Sequence, residues 1–178
     1  MPDKSYILPK KCRGYCMMEI MTLGGSVAEP GTGNQTILYN NTWVSTVSRD
    51  VTFNLYGAGA GAGGSTNTYP GGKGGNGELV SVIKTLKRGD VVSFSGGKGG
   101  TGGSSSSNGG KGETLALLIN GVSQGSALGG EGGGGSRNSL AGGAGSNAGN
   151  GLGSPGGTGN RNSSGSNGTN GKVVVTWP

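Results

Sequence analysis

The sequence predicts an all-β fold: a small antiparallel β-sandwich with inserted polyglycine-II helical spans and no α-helix. Three observations predict it. Glycine recurs every third residue in parts of the chain, most clearly at Gly153, Gly156, Gly159, Gly165, Gly168 and Gly171, with Asn162 filling the one gap. Short segments of alternating apolar and polar residues stand between the glycine runs. No stretch shows the capped 3.6-residue periodicity of a helix.

A period of three matches the turn of a polyproline-II-type helix and neither of the ordinary periodicities. All but five of the 45 glycines (Gly14, Gly24, Gly25, Gly31 and Gly33) follow Tyr56, so the bias belongs to one region. Hydrophobic residues make up only 30% of the 178 positions, a composition typical of flexible linkers unless a period is present. Ordering glycine costs roughly 1–2 kcal/mol of backbone entropy per residue, and these runs have almost no side chains to offset it. Their peptide groups must therefore pair with one another, through N–H···O and weaker Cα–H···O bonds between helices packed side by side. Collagen is excluded, because only Pro70 and Pro155 lie in the glycine region and the repeat is interrupted.

The strand signals follow in order. Residues 36–39 and 42–44 flank Asn40-Asn41, a turn signal. Residues 51–56 alternate, with Val51, Phe53 and Leu55 on one face. Residues 78–86 run through Lys87-Arg88-Gly89-Asp90 into 91–95, which reads as a hairpin with a glycine turn. Residues 114–119, Asn120-Gly121 and Val122 onward form a second hairpin, Asn-Gly between apolar runs being the strongest short-range hairpin signal. Residues 172–177 close the chain as a strand. Between the strands lie glycine segments at 57–64, 71–77, 96–103, 109–112, 129–135 and 142–171. At about 3.1 Å per residue an eight-residue segment reaches about 25 Å. Parallel and antiparallel polyglycine helices standing on a sandwich are therefore expected, within one domain over 36–178.

Residues 1–35 differ from the rest. They hold both cysteines, all four methionines and a cluster of basic residues, Lys4, Lys10, Lys11 and Arg13. Met-rich apolar segments adapt to partner surfaces, so Cys12, Tyr15, Met17, Met18 and Met21 are candidates for docking onto another protein. Covering the edge of the domain core is an equal alternative. The first 25 residues contain no 7–15-residue apolar core and no segment approaches a membrane span, so export by a signal peptide is not expected.

Enzyme chemistry finds no motif. With no histidine, eight scattered acids and cysteines spaced C-x-x-x-C, no nucleophile–base pair, zinc site or cofactor site can be assembled. Gly-Gly-Lys lacks the G-x-x-x-x-G-K-[ST] pattern of a phosphate loop. The net charge of +6 comes without aromatic-basic interleaving, so nucleic acid is not an expected partner. Binding residues are expected in the connectors between glycine segments, 65–69, 104–108, 137–139 and 160–164, because loops on rigid scaffolds carry recognition. The candidates are Asn67, Tyr69, Ser105, Asn108, Arg137, Asn138, Arg161 and Asn162. Their hydroxyls and amides suit glycans; solvated turns are the plain alternative.

The order of pieces carries a resemblance. Val51-Thr52-Phe53-Asn54-Leu55-Tyr56-Gly57-Ala58-Gly59 opens it, and Gly71-Gly72-Lys73-Gly74-Gly75-Asn76-Gly77 precedes Glu78-Leu79-Val80. Leu86-Lys87-Arg88-Gly89-Asp90-Val91-Val92-Ser93-Phe94 follows, and Asn170-Gly171-Lys172-Val173-Val174-Val175-Thr176-Trp177 ends it. From about Val47 to Pro178 the chain resembles the glycine-rich domain of bacteriophage tail fibre and tail-tip proteins. The resemblance implies a protein exposed on the virion, joined to other tail proteins through its N-terminal segment and presenting loops to a host cell-surface receptor, protein or glycan. It also implies a homotrimer as one assembly, fibre proteins commonly being trimeric. The chain differs from tip adhesins of T-even-like phages in having Tyr69 as the one aromatic within its glycine segments. A purely structural virion component and an ice-binding polyglycine protein are the alternative functions.

Overall fold

A computed structural model describes residues 33–38, 41–46, 48–66, 68–137 and 140–177. Eight strands form two four-stranded antiparallel sheets: β1 (Gly33–Leu38), β2 (Thr42–Val44), β3 (Arg49–Tyr56), β4 (Leu79–Leu86), β5 (Val91–Gly96), β6 (Leu115–Ile119), β7 (Val122–Ala127) and β8 (Lys172–Trp177). One sheet runs β1-β8-β3-β4 and the other β2-β5-β6-β7. No helix occurs among the described residues, and none is long and apolar enough to cross a membrane.

Alternation places the core. Val51, Phe53, Leu55, Val173, Val175 and Trp177 face inward from one sheet, and Trp43, Val92, Phe94, Leu115 and Leu117 from the other, all buried. Trp43, Phe53 and Phe94 form an aromatic centre with ring centroids 5.7–6.2 Å apart, within the range where such pairs add to burial. At the edge where β4 meets β7, Gly125 lets the strands close: a side chain there would collide with Val82.

Two expected connections differ. Residues 79–95 do not form a hairpin within one sheet. β4 pairs with β3, β5 pairs with β2 and β6, and the intervening turn carries the chain from one sheet to the other. Leu86 and Val92 thereby enter the same core from opposite sides. The turn is tied to Ser45, whose N–H donates to the Asp90 carbonyl and whose carbonyl accepts from Gly89 N–H, at 2.8 and 2.7 Å. Likewise 36–39 and 42–44 do not pair: β1 joins β8 and β2 joins β5. The β6–β7 hairpin forms as expected, with Asn120 and Gly121 at φ of 52° and 76°, the mirror-image turn that suits twisted strands. β1 starts at Gly33, so the sheet takes in the last residues of the 1–35 segment.

The glycine segments form eight spans, 57–65, 70–78, 97–104, 107–113, 128–136, 142–148, 153–159 and 163–171, named first to eighth below. The run 142–171 expected as one segment is three of them, because the chain reverses at 149–151 and again at 161–162. Hydrogen bonds from the first span show threefold symmetry. The N–H groups of Gly57, Ala60 and Gly63 donate to the carbonyls of Glu78, Gly75 and Gly72 in the second span. Those of Ala58, Gly61 and Gly64 donate to Glu113, Gly110 and Ser107, and those of Gly59, Ala62 and Ser65 to Thr169, Ser166 and Ser163. Its carbonyls accept from three further spans: from Gly100 and Gly103, from Gly130, Gly133 and Ser136, and from Ser154 and Gly157. One polyglycine-II helix is thus enclosed by six others, alternately antiparallel and parallel to it. The sixth span lies outside this ring, bonded to the second and fifth.

Glycine is needed here for closeness rather than for backbone angle. Among the described glycines, positive φ is confined to turns and to Gly96 and Gly97 at a strand end. A Cβ at Gly59, Gly61 or Gly63 would overlap a carbonyl of the neighbouring span. Ala58, Ala60 and Ala62 fit among them, fully buried. Outer spans use the third position of each turn for a solvated side chain, as with Lys73, Lys98 and Thr101, or Pro155 and Thr158.

Asparagines finish the rim. Asn167 and Asn170, one turn apart, accept with Oδ1 from the N–H groups of Gly102 and Gly99, both at 2.8 Å. Asn147 and Asn150 do the same for Asn76 and Leu79. A side-chain carbonyl here replaces the backbone carbonyl that a further span would supply.

Candidate binding surface at the distal end

Each pair of spans leaves the sandwich and comes back, so four loops lie at the far end of the bundle: 65–70, 104–107, 137–140 and 160–163. The opposite pole of the described domain is also defined. β8 runs away from the bundle to Trp177, and its register places Gly33 beside Trp177 at that remote end. The chain therefore enters the sandwich on the side facing away from the loops.

The loops are braced against each other. Ser65 Oγ donates to the Ser163 carbonyl at 2.7 Å and accepts from Ser163 N–H at 2.8 Å. Thr66 N–H donates to Ser136 Oγ at 2.7 Å, and Ser136 is fully buried. Within the first loop Tyr69 N–H donates to Thr66 Oγ1 at 3.3 Å. Arg137 and Leu140 exchange backbone hydrogen bonds, both 3.0 Å. Ser106 and Asn162 take φ of 65° and 54° to turn their loops, conformations that Asn accepts more readily than Ser.

The structure brings the sequence-predicted connectors together at this one end. Tyr69 is half-buried, and Ser105, Arg137, Arg161 and Asn162 are exposed. Asn108 is exposed too, but its Oδ1 accepts from Gly135 N–H at 2.9 Å, which makes it a strut between the fourth and fifth spans. Asn67 and Asn138 lie outside the described residues, as do the docking candidates Cys12, Tyr15, Met17, Met18 and Met21.

Sequence reasoning missed three residues. Leu140 is 69% exposed at the tip, and a lone leucine in a Ser/Asn connector was a readable signal. Ser65 and Ser136 are the internal braces, and nothing in their sequence context separates them from the other serines.

The charge distribution is uneven. Arg137 and Arg161 stand at the tip, whereas the described acids, Asp50, Glu78, Asp90, Glu113 and Glu131, lie in the sandwich or on the spans below it. Glu131 pairs with Lys111 at 2.5 Å. Asp90 sits in the turn that crosses between sheets. Its carboxylate accepts from Lys87 N–H and then from the Asn120 amide, and these bonds hold its pKa below the ordinary value. Among the described residues no three His, Cys, Asp or Glu converge as around a metal ion.

The chain matches no family model, and a search of curated proteins finds no relative. Fold and site geometry therefore carry the functional reading.

Proposed function

We propose that this chain is a bacteriophage virion protein of the tail fibre or tail tip, which attaches the particle to a host cell through loops held out on a polyglycine bundle. One observation carries the reading: four loops, three of them braced against one another, share one pole, while the chain enters the sandwich at the other. That polarity suits a protein anchored at one end and recognising at the other. Residues 1–35 take the anchoring role, contacting other tail proteins. Tyr69, Ser105, Arg137, Arg161 and Asn162 take the receptor-facing role, with Asn67 and Asn138 in the same loops. No catalytic step is assigned.

The polyglycine bundle supports this role mechanically. Its carbonyls and amides are mutually bonded, so the loops rest on a rigid base and lose little freedom on binding. The test is adsorption. Replacing residues 67–69 and 137–140 by Gly/Ser of equal length should abolish adsorption of particles to the host while changing the melting temperature little, since the bracing residues Ser65, Thr66, Ser136 and Ser163 are kept. Undiminished adsorption to every host would favour the purely structural virion component instead.

A further inference from the structure

Resting on the attachment reading, we infer that the tip takes an anionic glycan: a surface sugar chain carrying phosphate or carboxylate groups, held by Arg137 and Arg161 on either side of the Tyr69 loop. The juxtaposition comes from the span packing. The second span, which descends from the Tyr69 loop, is flanked by the fifth on one side and the seventh on the other, through Gly72 N–H to Gly134 O and Gly74 N–H to Gly157 O. Arg137 stands just past the end of the fifth span and Arg161 just past the end of the seventh. Both residues are exposed. Lys73, exposed one turn below Pro70 on the second span, adds a third cation near this end of the bundle.

Charge and chemistry then narrow the ligand. No Asp or Glu occurs in the described parts of the four tip loops, so these cations face outward without local compensation. Lys111, farther down, is already neutralised by Glu131. A field of one sign at the end of a rigid projection raises the local concentration of anions. The planar guanidinium fork matches phosphate and carboxylate in a bidentate manner. Around it, Thr68, Asn162 and Ser164 offer exposed hydroxyl and amide groups suited to neutral sugar hydroxyls. Apolar anchors for a protein receptor are few, since the described tip offers Leu140 and the half-buried Tyr69. The Ser65–Ser163 and Thr66–Ser136 bonds hold the loops in place before any ligand arrives.

The experiment uses the full chain and two probes: phosphorylated core oligosaccharide of bacterial lipopolysaccharide, and the same oligosaccharide with its phosphates removed. Calorimetric titration should show binding of the first and not the second, weakening several-fold as salt rises from about 50 to about 300 mM. Arg137→Ala and Arg161→Ala should each lower affinity about tenfold, the scale of one charge-assisted hydrogen bond. Arg161→Lys should recover only part of the loss, and Lys111→Ala should change nothing. Equal binding of both probes, or arginine variants that bind as the parent does, overturns the inference. Binding to intact cells separates the two levels. Cell binding that persists in both arginine variants points to a protein or neutral-glycan receptor and leaves the attachment reading standing. Failure of the parent chain to bind cells or oligosaccharide removes both.

Discussion

Gly61→Ala tests the packing of the bundle at its centre. Gly61 lies on the enclosed span at negative φ, so alanine meets no backbone strain there. The added methyl would instead overlap the Thr101 carbonyl of the third span. Restoring the 3.4 Å of ordinary contact requires the two spans to part by about 1.5 Å, enough to break hydrogen bonds. Two such bonds join these spans nearby, Gly100 N–H to Gly59 O at 2.9 Å and Gly103 N–H to Ala62 O at 2.8 Å. Leaving their buried groups unpaired costs about 1–3 kcal/mol for each bond, or about 2–6 kcal/mol together. For a domain of this size that is a fall in melting temperature of roughly 6–18 °C. The control is Gly143→Ala on the sixth span, where a methyl meets nothing within 4 Å and the loss of unfolded-state freedom should stabilise by about 0.4–1 kcal/mol. Differential scanning calorimetry of both variants decides the matter. If the two substitutions shift the transition alike, close packing is not what these glycines provide.

The remaining predictions concern the rim and the crossing turn. Asn167→Ala together with Asn170→Ala removes the acceptors for Gly102 and Gly99 N–H, should lower stability by about 1–3 kcal/mol, and should raise hydrogen exchange at those two amides selectively; Asn→Asp at both sites should restore protection. Asp90 contributes stability through a depressed folded-state pKa, so its contribution is present above its ordinary value of 3.8 and is lost as pH falls through the lower folded value. Asp90→Asn should flatten the acid limb of a denaturation series below about pH 4, and an unchanged limb would remove Asp90 from the account.

Much of the fold was legible because it rests on local chemistry. Alternation at 51–56 and 172–177 marked β3 and β8, and Asn120-Gly121 fixed a hairpin through the backbone angles only those residues take easily. The crossing at 87–90 was not legible. Leu86 and Val92 have the same apolar character whether the strands share a sheet or face each other, and the two cases differ only in distant pairings, β4 with β3 and β5 with β2 and β6. The run 142–171 hid its reversals for a related reason: the turn at 149–151 is built from Gly and Asn, the residues that also make the spans. The central span could have been found. Residues 57–64 contain nothing larger than alanine, which is what full enclosure requires, whereas the outer spans keep a larger residue on their solvated side. The tip was half legible. Its connectors stand out as breaks in glycine, but their convergence at one pole depends on every outward span being followed by a return, a property of the whole topology. The bracing serines and the asparagine rim depend on neighbours more than 60 residues away in sequence.

Enclosure of the first span also orders events in time. As the chain is synthesised this segment emerges before any of the six that will surround it, and its last partner, 163–171, is made about a hundred residues later. Until then the N–H groups of Gly59, Ala62 and Ser65 have only water, because no smaller set of spans covers all six of its sides. Assembly is therefore dominated by pairings distant in sequence, the regime of slow folding, and the nascent glycine stretches must stay solvated and unpaired while they wait. Their lack of bulky apolar side chains suits that delay, since a chain with little to hide can remain open in water without clumping. The composition that makes the finished bundle so tight is also what keeps its unfinished form harmless.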